Sequence, residues 1–123
     1  MLVKFRQDKV RRTPPGLEER YFVEFRTMTR SERDRALALM FSGDPAGLAG
    51  HILECTVSDF LLPSDRGDIR FGEAEENAQV YEALDAELAE WMVRQGLELN
   101  GLLPEQLKRR EAVLGNSEKP SGG

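Results

Sequence analysis

A long apolar stripe over residues 73–100 constrains the fold of this chain more than any other feature of its sequence. Its apolar side chains recur at the three- and four-residue spacing of one helical face: Tyr81, Leu84, Leu88, Trp91 and Leu99, widened by Val80, Met92 and Val93. Carboxylates occupy the predicted first turn, where they favour the helix dipole, and Asn100-Gly101 is a typical helix end. The stripe predicts one amphipathic helix from Glu73 to Asn100. Its apolar face is wide for one small domain to cover, which leaves self-association open.

Two further helices are predicted before this one from their start and stop signals. Thr29 and Glu32 have the spacing of a capping box, and Gly43 ends the helix that follows. Asp44 is suited to cap a second helix, with Pro45 at its first position. The apolar faces comprise Leu37, Met40 and Phe41 in the first helix, and Leu48, Ile52 and Cys55 in the second. A short fourth helix is predicted from Pro104 to Leu114, closed by Gly115.

The N-terminal segment has the alternation of β-strands instead. In residues 20–26, Tyr21, Val23 and Phe25 fall on one face, and residues 2–6 are also β-prone. A turn signal, Thr-Pro-Pro-Gly at 13–16, lies between the two segments. Residues 2–26 are therefore predicted to form a β-hairpin with a long basic loop, which must pack on the helices to be stable.

Residues 57–62 fit a helix or a strand equally well, with Pro63 stopping either one. A turn at 64–68 and the short apolar pair Ile69 and Phe71 follow. The predicted fold is α+β and mostly α, with the N-terminal β-hairpin packed on a small bundle of about four helices. It forms a single domain over 1–115, with the hairpin at 2–26 and mainly helix at 30–114, followed by a flexible tail at 116–123.

The composition points to a reducing compartment. Cys55 is the single cysteine, so no internal disulfide can form, and the first residues lack the apolar run of a signal peptide. No stretch approaches the length of a membrane span. We therefore expect a cytoplasmic protein that is not in a membrane.

Charge is divided unevenly along the chain. The net charge is −5, but residues 1–36 carry +4 and residues 37–123 carry −9. The acidic body disfavours nucleic acid as a partner, and halves of opposite sign suit docking on other proteins or on copies of the same chain. The basic residues near the N-terminus are interrupted by Glu18 and Glu19, which favours a solvated or protein-docking loop over a nucleic-acid arm: Lys9, Arg11, Arg12, Arg20 and Arg26.

No motif for catalysis, a cofactor or a metal ion stands out, so we expect no enzyme activity. His51 and Cys55 are spaced to share a helical face, but no third group completes a thiol–imidazole site, and packing is the preferred interpretation. Several carboxylates cluster without EF-hand spacing, which favours a solvated turn: Asp65, Asp68, Glu73, Glu75 and Glu76. The glycines at 43, 47 and 50 do not form a phosphate loop.

The order of segments resembles a known family. A strand ending Phe-Val-Glu-Phe-Arg at 22–26 leads into Met-Thr-Arg-Ser-Glu-Arg-Asp at 28–34 and then a Gly-Asp-Pro break. Cys-Thr-Val-Ser-Asp-Phe at 55–60, Ile-Arg-Phe at 69–71, and a helix ending Glu-Leu-Asn-Gly at 98–101 follow. Over residues 20–101, this order is similar to the tail assembly chaperones of long-tailed, siphovirus-like bacteriophages.

The resemblance implies a temporary role in the bacterial host cytoplasm. Such a protein coats the tape-measure protein, keeps it soluble, assists assembly of the tail-tube protein, and leaves before the virion is complete. Members often also exist in a longer, frameshifted form. A surface for an amphipathic partner is expected on the outward part of helix 73–100, with Trp91, Leu103, Leu107 and Leu114, although Trp91 on such a stripe is more often core.

Two other functions remain open from the sequence. A structural virion protein, such as a head–tail connector or tail-completion factor, would stay in the finished particle. A small nucleic-acid-binding regulator would use the basic N-terminal third and bind with steep salt dependence. An enzyme is the most remote alternative.

Overall fold

The computed structural model describes residues 8–72 and 77–109. It has the predicted α+β architecture, with an antiparallel sheet on one side and helices on the other. The four strands, in both chain and spatial order, are β1 (Lys9–Arg12), β2 (Phe22–Arg26), β3 (Val57–Ser64) and β4 (Gly67–Arg70). The helices are α1 (Arg30–Phe41), α2 (Pro45–Thr56), α3 (Asn77–Ala83) and α4 (Ala86–Leu99).

The predicted N-terminal hairpin is confirmed, but part of its loop is a strand. β1 pairs antiparallel with β2, from Lys9 opposite Arg26 to Arg12 opposite Val23. Lys9–Arg12 was expected in the basic loop because charged residues have low strand propensity. Cross-strand pairing offsets this, since the Arg11 guanidinium lies 2.7 Å from a Glu24 oxygen and 4.2 Å from the centre of the Phe22 ring. The β-prone residues 2–6 lie outside the described residues.

The ambiguous segment at 57–62 is a strand, and Pro63 does not stop it. β3 continues through Pro63, which pairs with Asp68 on β4. The pairing of β3 with β2 ends at Leu61, opposite Phe22, so at Pro63 β3 pairs with β4 but not with β2. Proline has no amide hydrogen to donate, and it is tolerated at this position because no hydrogen bond to β2 is required there.

The starts of the first two helices are as predicted. The Glu32 amide donates to Thr29 Oγ1 at 3.3 Å and the Thr29 amide donates to Glu32 Oε1 at 2.9 Å, completing the capping box of α1. Asp44 caps α2 by accepting from the Gly47 amide at 2.9 Å, with Pro45 as the first helical residue.

The prediction of one continuous helix from Glu73 to Asn100 is wrong, because the described part of this segment forms two helices, α3 and α4. Extended backbone at Asp85 (φ −57°, ψ 142°) separates the two helices. Tyr81 and Leu84, before or at the break, and Leu88 and Trp91, after it, still pack against the same core cluster. The apolar spacing therefore survives the break, which is why periodicity did not reveal it. Residues 73–76, the expected first turn, lie outside the described residues.

The C-terminal part agrees with the prediction as far as it is described. α4 ends at Asn100-Gly101, where Gly101 has a φ of 69° that favours glycine. Residues 104–109 are helical, as expected after Pro104. The predicted helix end at Leu114 and the tail at 116–123 lie outside the described residues.

Two apolar clusters hold the layers together. The larger joins the inner face of the sheet, including Val23, Phe25 and Phe60, to Met92 of α4. The smaller joins Ala36 of α1, Ile52 of α2 and Leu102. Both α2 and α4 contribute residues to the two clusters, so the surface between these helices is held in place by both. Within the described residues, no helix has the length and apolar character needed to cross a membrane.

Candidate protein-binding groove

A groove of about 660 Å³ runs between α2 and α4. Tyr81 and Glu82 of α3 also line it, together with Leu103 and Pro104, which follow α4. The walls formed by α2 and α4 consist mainly of small and aliphatic residues: Ala46, Ala49, Gly50 and Leu53 from α2, and Ala89, Val93 and Leu97 from α4. We refer to this surface as the α2–α4 groove.

Side-chain size and helical spacing explain why a groove forms here. On α2, Ala46, Ala49 and Gly50 lie over one face and leave it shallow, before the larger Leu53. On α4, Ala89, Val93 and Leu97 recur every four residues and form one apolar wall. An added Cβ at Gly50 would meet nothing within 4 Å, so the space above α2 is open.

The rim of the α2–α4 groove is acidic. Glu54, Glu82 and Glu90 lie along it, and within the described residues none of these carboxylates has an ion-pair partner. Arg94 also lines the rim, but its guanidinium lies 3.1 Å from Glu105 and is thereby neutralised. Burial, together with the nearby Glu54 charge, raises the pKa of the Tyr81 hydroxyl to about 12, so this hydroxyl stays neutral. The groove is thus apolar inside and negative at its edge.

The four residues predicted to bind protein are placed differently from one another. Leu103 lies at the groove but is only 5% exposed. Trp91 is half-buried and its ring makes an edge-to-face contact with Phe25, with centroids 5.9 Å apart. Leu107 packs against the smaller apolar cluster, and Leu114 lies outside the described residues. Of the three that the structure describes, Leu103 alone lines the groove.

Sequence reasoning missed the α2 side of the groove. The signal was present in Pro-Ala-Gly-Leu-Ala-Gly at 45–50, a helix start unusually rich in small residues. Small residues on a helix face let another backbone approach closely, but the sequence does not reveal whether that backbone belongs to the same chain.

His51 and Cys55 lie together, as their spacing predicted. Cys55 Sγ is 3.6 Å from His51 Nδ1, and His51 Nε2 is 2.7 Å from the Glu32 carbonyl oxygen, to which it must donate because a carbonyl only accepts. Burial, followed by a hydrogen bond to Glu32, raises the pKa of the Cys55 thiol to about 12. A thiol held in its protonated form is a poor nucleophile, so this pair serves to join α2 to α1.

The basic residues of the hairpin are mostly engaged within the chain. Arg11 pairs with Glu24 and, at 3.3 Å, with Asp59, and Arg26 pairs with Glu32 at 3.0 Å. Arg12 hydrogen-bonds to Gln95 of α4. These contacts use the guanidinium groups to fix the sheet and helices.

Asp68, near the start of β4, is also paired within the chain. Asp68 accepts hydrogen bonds at 2.7 Å from both Arg20 and the Tyr21 hydroxyl, and Tyr21 foremost keeps the pKa of this carboxyl below its ordinary value. In the two described ranges, no group of three or more histidine, cysteine, aspartate or glutamate residues is arranged to hold a metal ion. Residues 73, 75 and 76 of the predicted acidic cluster are outside those ranges.

Comparison of the chain with protein-family models, with curated proteins and with solved structures finds no match.

Proposed function

We propose that this protein is an assembly chaperone that binds an amphipathic helix of another protein in the α2–α4 groove. The observation that carries the proposal is the pairing of an apolar groove of about 660 Å³ with three rim carboxylates that lack partners among the described residues. Helices that dock in grooves insert an apolar face, and charged residues beside that face select the partner. The preferred partner is therefore a helix with an apolar face flanked by lysine or arginine.

The resemblance over residues 20–101 suggests which partner this is. A phage tape-measure protein is long, helical and prone to aggregate, so it offers many amphipathic segments of the required kind. Each groove would hold one segment weakly, and many copies along the rod would gain from avidity while each contact stays reversible. This suits a chaperone that acts in the host cytoplasm and leaves before the virion is complete. Recruitment of the tail-tube protein is the second part of the proposed role.

The test is co-expression of this chain with the long helical protein encoded nearby, followed by size-exclusion chromatography. We expect the long protein to be soluble and to co-elute only when this chain is present. A long protein that remains insoluble, or that elutes alone, would contradict the chaperone role. Detection of this chain in purified virions by mass spectrometry would favour a structural virion protein instead.

Gly50 offers a matched pair of variants for the groove itself. Gly50→Arg places a long cationic side chain over the apolar floor, while Gly50→Ala adds one methyl group into open space. We expect Gly50→Arg to lose co-elution and Gly50→Ala to retain it, with both variants folded. Equal co-elution of the two variants would exclude the α2–α4 groove as the binding site.

A further inference from the structure

The chain leaves the described part of the structure close to the α2–α4 groove. Leu103 and Pro104 line the groove, and the residues that follow form one short helix up to Arg109. This helix is held against the end of α4, since the Gln106 side chain accepts from the Leu103 amide at 2.9 Å and donates to the Glu98 carbonyl at 3.0 Å. Arg109, the last described residue, therefore lies about 8 Å along the helix from Pro104.

Unpaired charges of opposite sign lie on this short helix and along the groove. Lys108 and Arg109 are exposed, and within the described ranges neither has a carboxylate partner. Lys108 follows the groove residue Pro104 by four positions and therefore shares its side of the helix. The three carboxylates of the groove rim also lack ion-pair partners in the described part of the chain: Glu54, Glu82 and Glu90.

The residues after Arg109 combine basic and apolar side chains. The sequence Arg-Glu-Ala-Val-Leu at 110–114, here called the 110–114 segment, includes three consecutive apolar residues: Ala112, Val113 and Leu114. Residues 108–114 carry three basic side chains and one acidic side chain, a net charge of +2. Cations beside a short apolar run are the chemistry that an apolar groove with an acidic rim would bind.

The 110–114 segment is long enough to reach the groove of its own chain. An extended residue spans at most about 3.6 Å, so Val113 can lie up to about 14 Å from Arg109. The α2 wall of the groove, from Ala46 to Leu53, is about 10 Å long at the rise of an α-helix. Attachment to the same chain also gives the segment a high effective concentration at the groove, which favours it over the same segment of a second copy.

We propose that, without a partner, the 110–114 segment covers the α2–α4 groove of its own chain. Val113 and Leu114 occupy the apolar floor, while Lys108 and Arg110 face the rim carboxylates. A partner helix enters only by displacing this segment, so its apparent affinity is set by the fraction of grooves that are open. That regulatory consequence rests on the function proposed above, whereas the contact within the chain does not.

The first test traps the contact as a disulfide in the full chain. Gly50→Cys and Val113→Cys are combined with Cys55→Ala, so that the two new thiols are the only ones present. A disulfide needs Cα atoms within about 7 Å of each other. Dilute protein with a mild oxidant should therefore form a bond within one chain, seen as a monomer that migrates faster without reductant.

Leu114 supplies the matched control for this measurement. Added to the two-cysteine chain, Leu114→Met keeps an apolar side chain and should leave the rate of disulfide formation unchanged. Leu114→Ser should slow it about fivefold, because a polar side chain gives up the apolar burial. Equal rates in the two variants overturn the contact, and a disulfide found only between chains overturns its placement within one chain.

Methyl NMR of the chain with its native cysteine gives an independent measurement. Leu114→Ser should shift the methyl resonances of Ala46 and Ala49, which line the groove, and leave that of Ala36 in the smaller apolar cluster unchanged. Leu114→Met should give the wild-type positions. Resonances of Ala46 and Ala49 that are the same in all three chains overturn the proposal.

Binding of the long helical protein separates this proposal from the proposed function. Leu114→Ser should bind it about fivefold more tightly than Leu114→Met, because more of the grooves are open. Equal binding by the two variants overturns the regulatory consequence. Co-elution absent in the wild type and in both variants, with the disulfide formed as expected, contradicts the proposed function alone. A disulfide rate that is insensitive to Leu114, with co-elution intact, contradicts the contact alone.

Discussion

At the scale of single residues, Glu32 links the end of β2 to the start of α1. Its carboxylate accepts from both terminal nitrogen positions of Arg26, at 3.0 and 3.2 Å, and from the Thr29 amide. Arg26 foremost lowers the pKa of Glu32 from its ordinary value of 4.5 to about 2. The side chains of Arg26 and Glu32 are only 21% and 23% exposed, so solvent screens this pair less than a surface pair.

This lowered pKa predicts how stability changes with pH. The ionised form of Glu32 stabilises the fold above pH 4.5, and this contribution is lost as the pH falls from 4.5 towards 2. Glu32→Gln keeps an N3 side chain suited to the capping box but loses the charge, so it should lower the free energy of unfolding by about 2 kcal/mol near neutral pH. Urea unfolding at neutral pH and below pH 3 should show the difference from wild type shrinking in acid.

The control for this measurement is Asp34→Asn. Asp34 lies in the exposed pair with Arg30, where the loss of a surface charge changes stability by less than about 0.5 kcal/mol. A difference for Glu32→Gln that stays constant with pH would show that the Arg26 pair is not its cause.

Asn100 connects the end of α4 to the start of α1 through two hydrogen bonds. Its amide oxygen accepts from the Met28 backbone amide at 2.7 Å, and its amide nitrogen donates to the Gly96 carbonyl at 2.8 Å. Asn100→Ala leaves the partly buried Met28 donor without an acceptor, so it should cost about 1–2 kcal/mol of stability. Hydrogen exchange should show the Met28 amide losing protection more than the amides within α2, and equal loss throughout would contradict this local role.

At the scale of elements, the close approach of α2 and α4 depends on Gly96. A Cβ built at Gly96 would lie 2.6 Å from Thr56 Oγ1 and 2.8 Å from Ile52 Cγ2. Both atoms belong to β-branched side chains with restricted rotamers, and Thr56 Oγ1 also donates to the Ile52 carbonyl at 2.6 Å. The neighbours therefore have little freedom to move aside.

Two opposing effects decide the outcome of Gly96→Ala. Replacing a helical glycine with alanine gains about 1 kcal/mol of helix propensity, while overpacking a buried contact costs about 1–3 kcal/mol. We expect net destabilisation at Gly96 and stabilisation of about 0.5–1 kcal/mol for Gly50→Ala, where the added Cβ meets nothing within 4 Å. Thermal unfolding of the two variants against wild type measures both signs. A more stable Gly96→Ala would show that the helices can separate at little cost.

The elements also show which sequence signals carry structural information. The caps of α1 and α2 were predictable because Thr29, Glu32 and Asp44 bond to amides three residues away. Strand β1 was not, because the pairing of Arg11 with Glu24 and Asp59 depends on segments 13 and 48 residues distant. The break at Asp85 was hidden for a related reason: both helices pack on one cluster, so the apolar spacing continues across it.

At the scale of the whole molecule, the candidate site was predictable in character but not in position. The sequence predicted an apolar helical surface with a charged surround, and the α2–α4 groove is apolar inside with carboxylates along its rim, while its binding of protein stays a prediction. Its position depends on how α2 and α4 approach each other at Gly96, and on the burial of Leu103 in its lining. Periodicity shows which residues share a face of a helix, but it does not show which faces the fold leaves uncovered.

The acidic rim of the α2–α4 groove predicts how salt affects the proposed binding of a partner helix. If lysine or arginine beside the apolar face of the partner meets Glu54, Glu82 and Glu90, raising the ionic strength from about 0.02 to about 0.5 M should weaken binding about fivefold, because the rim charges are exposed to screening. A double variant, Glu54→Gln with Glu90→Gln, should bind more weakly at low salt and respond little to added salt. Co-elution with the long helical protein at the two ionic strengths measures both chains. Binding of the wild type that tightens with salt would mean that apolar contact alone drives it, since added salt can strengthen apolar burial but not an ion pair.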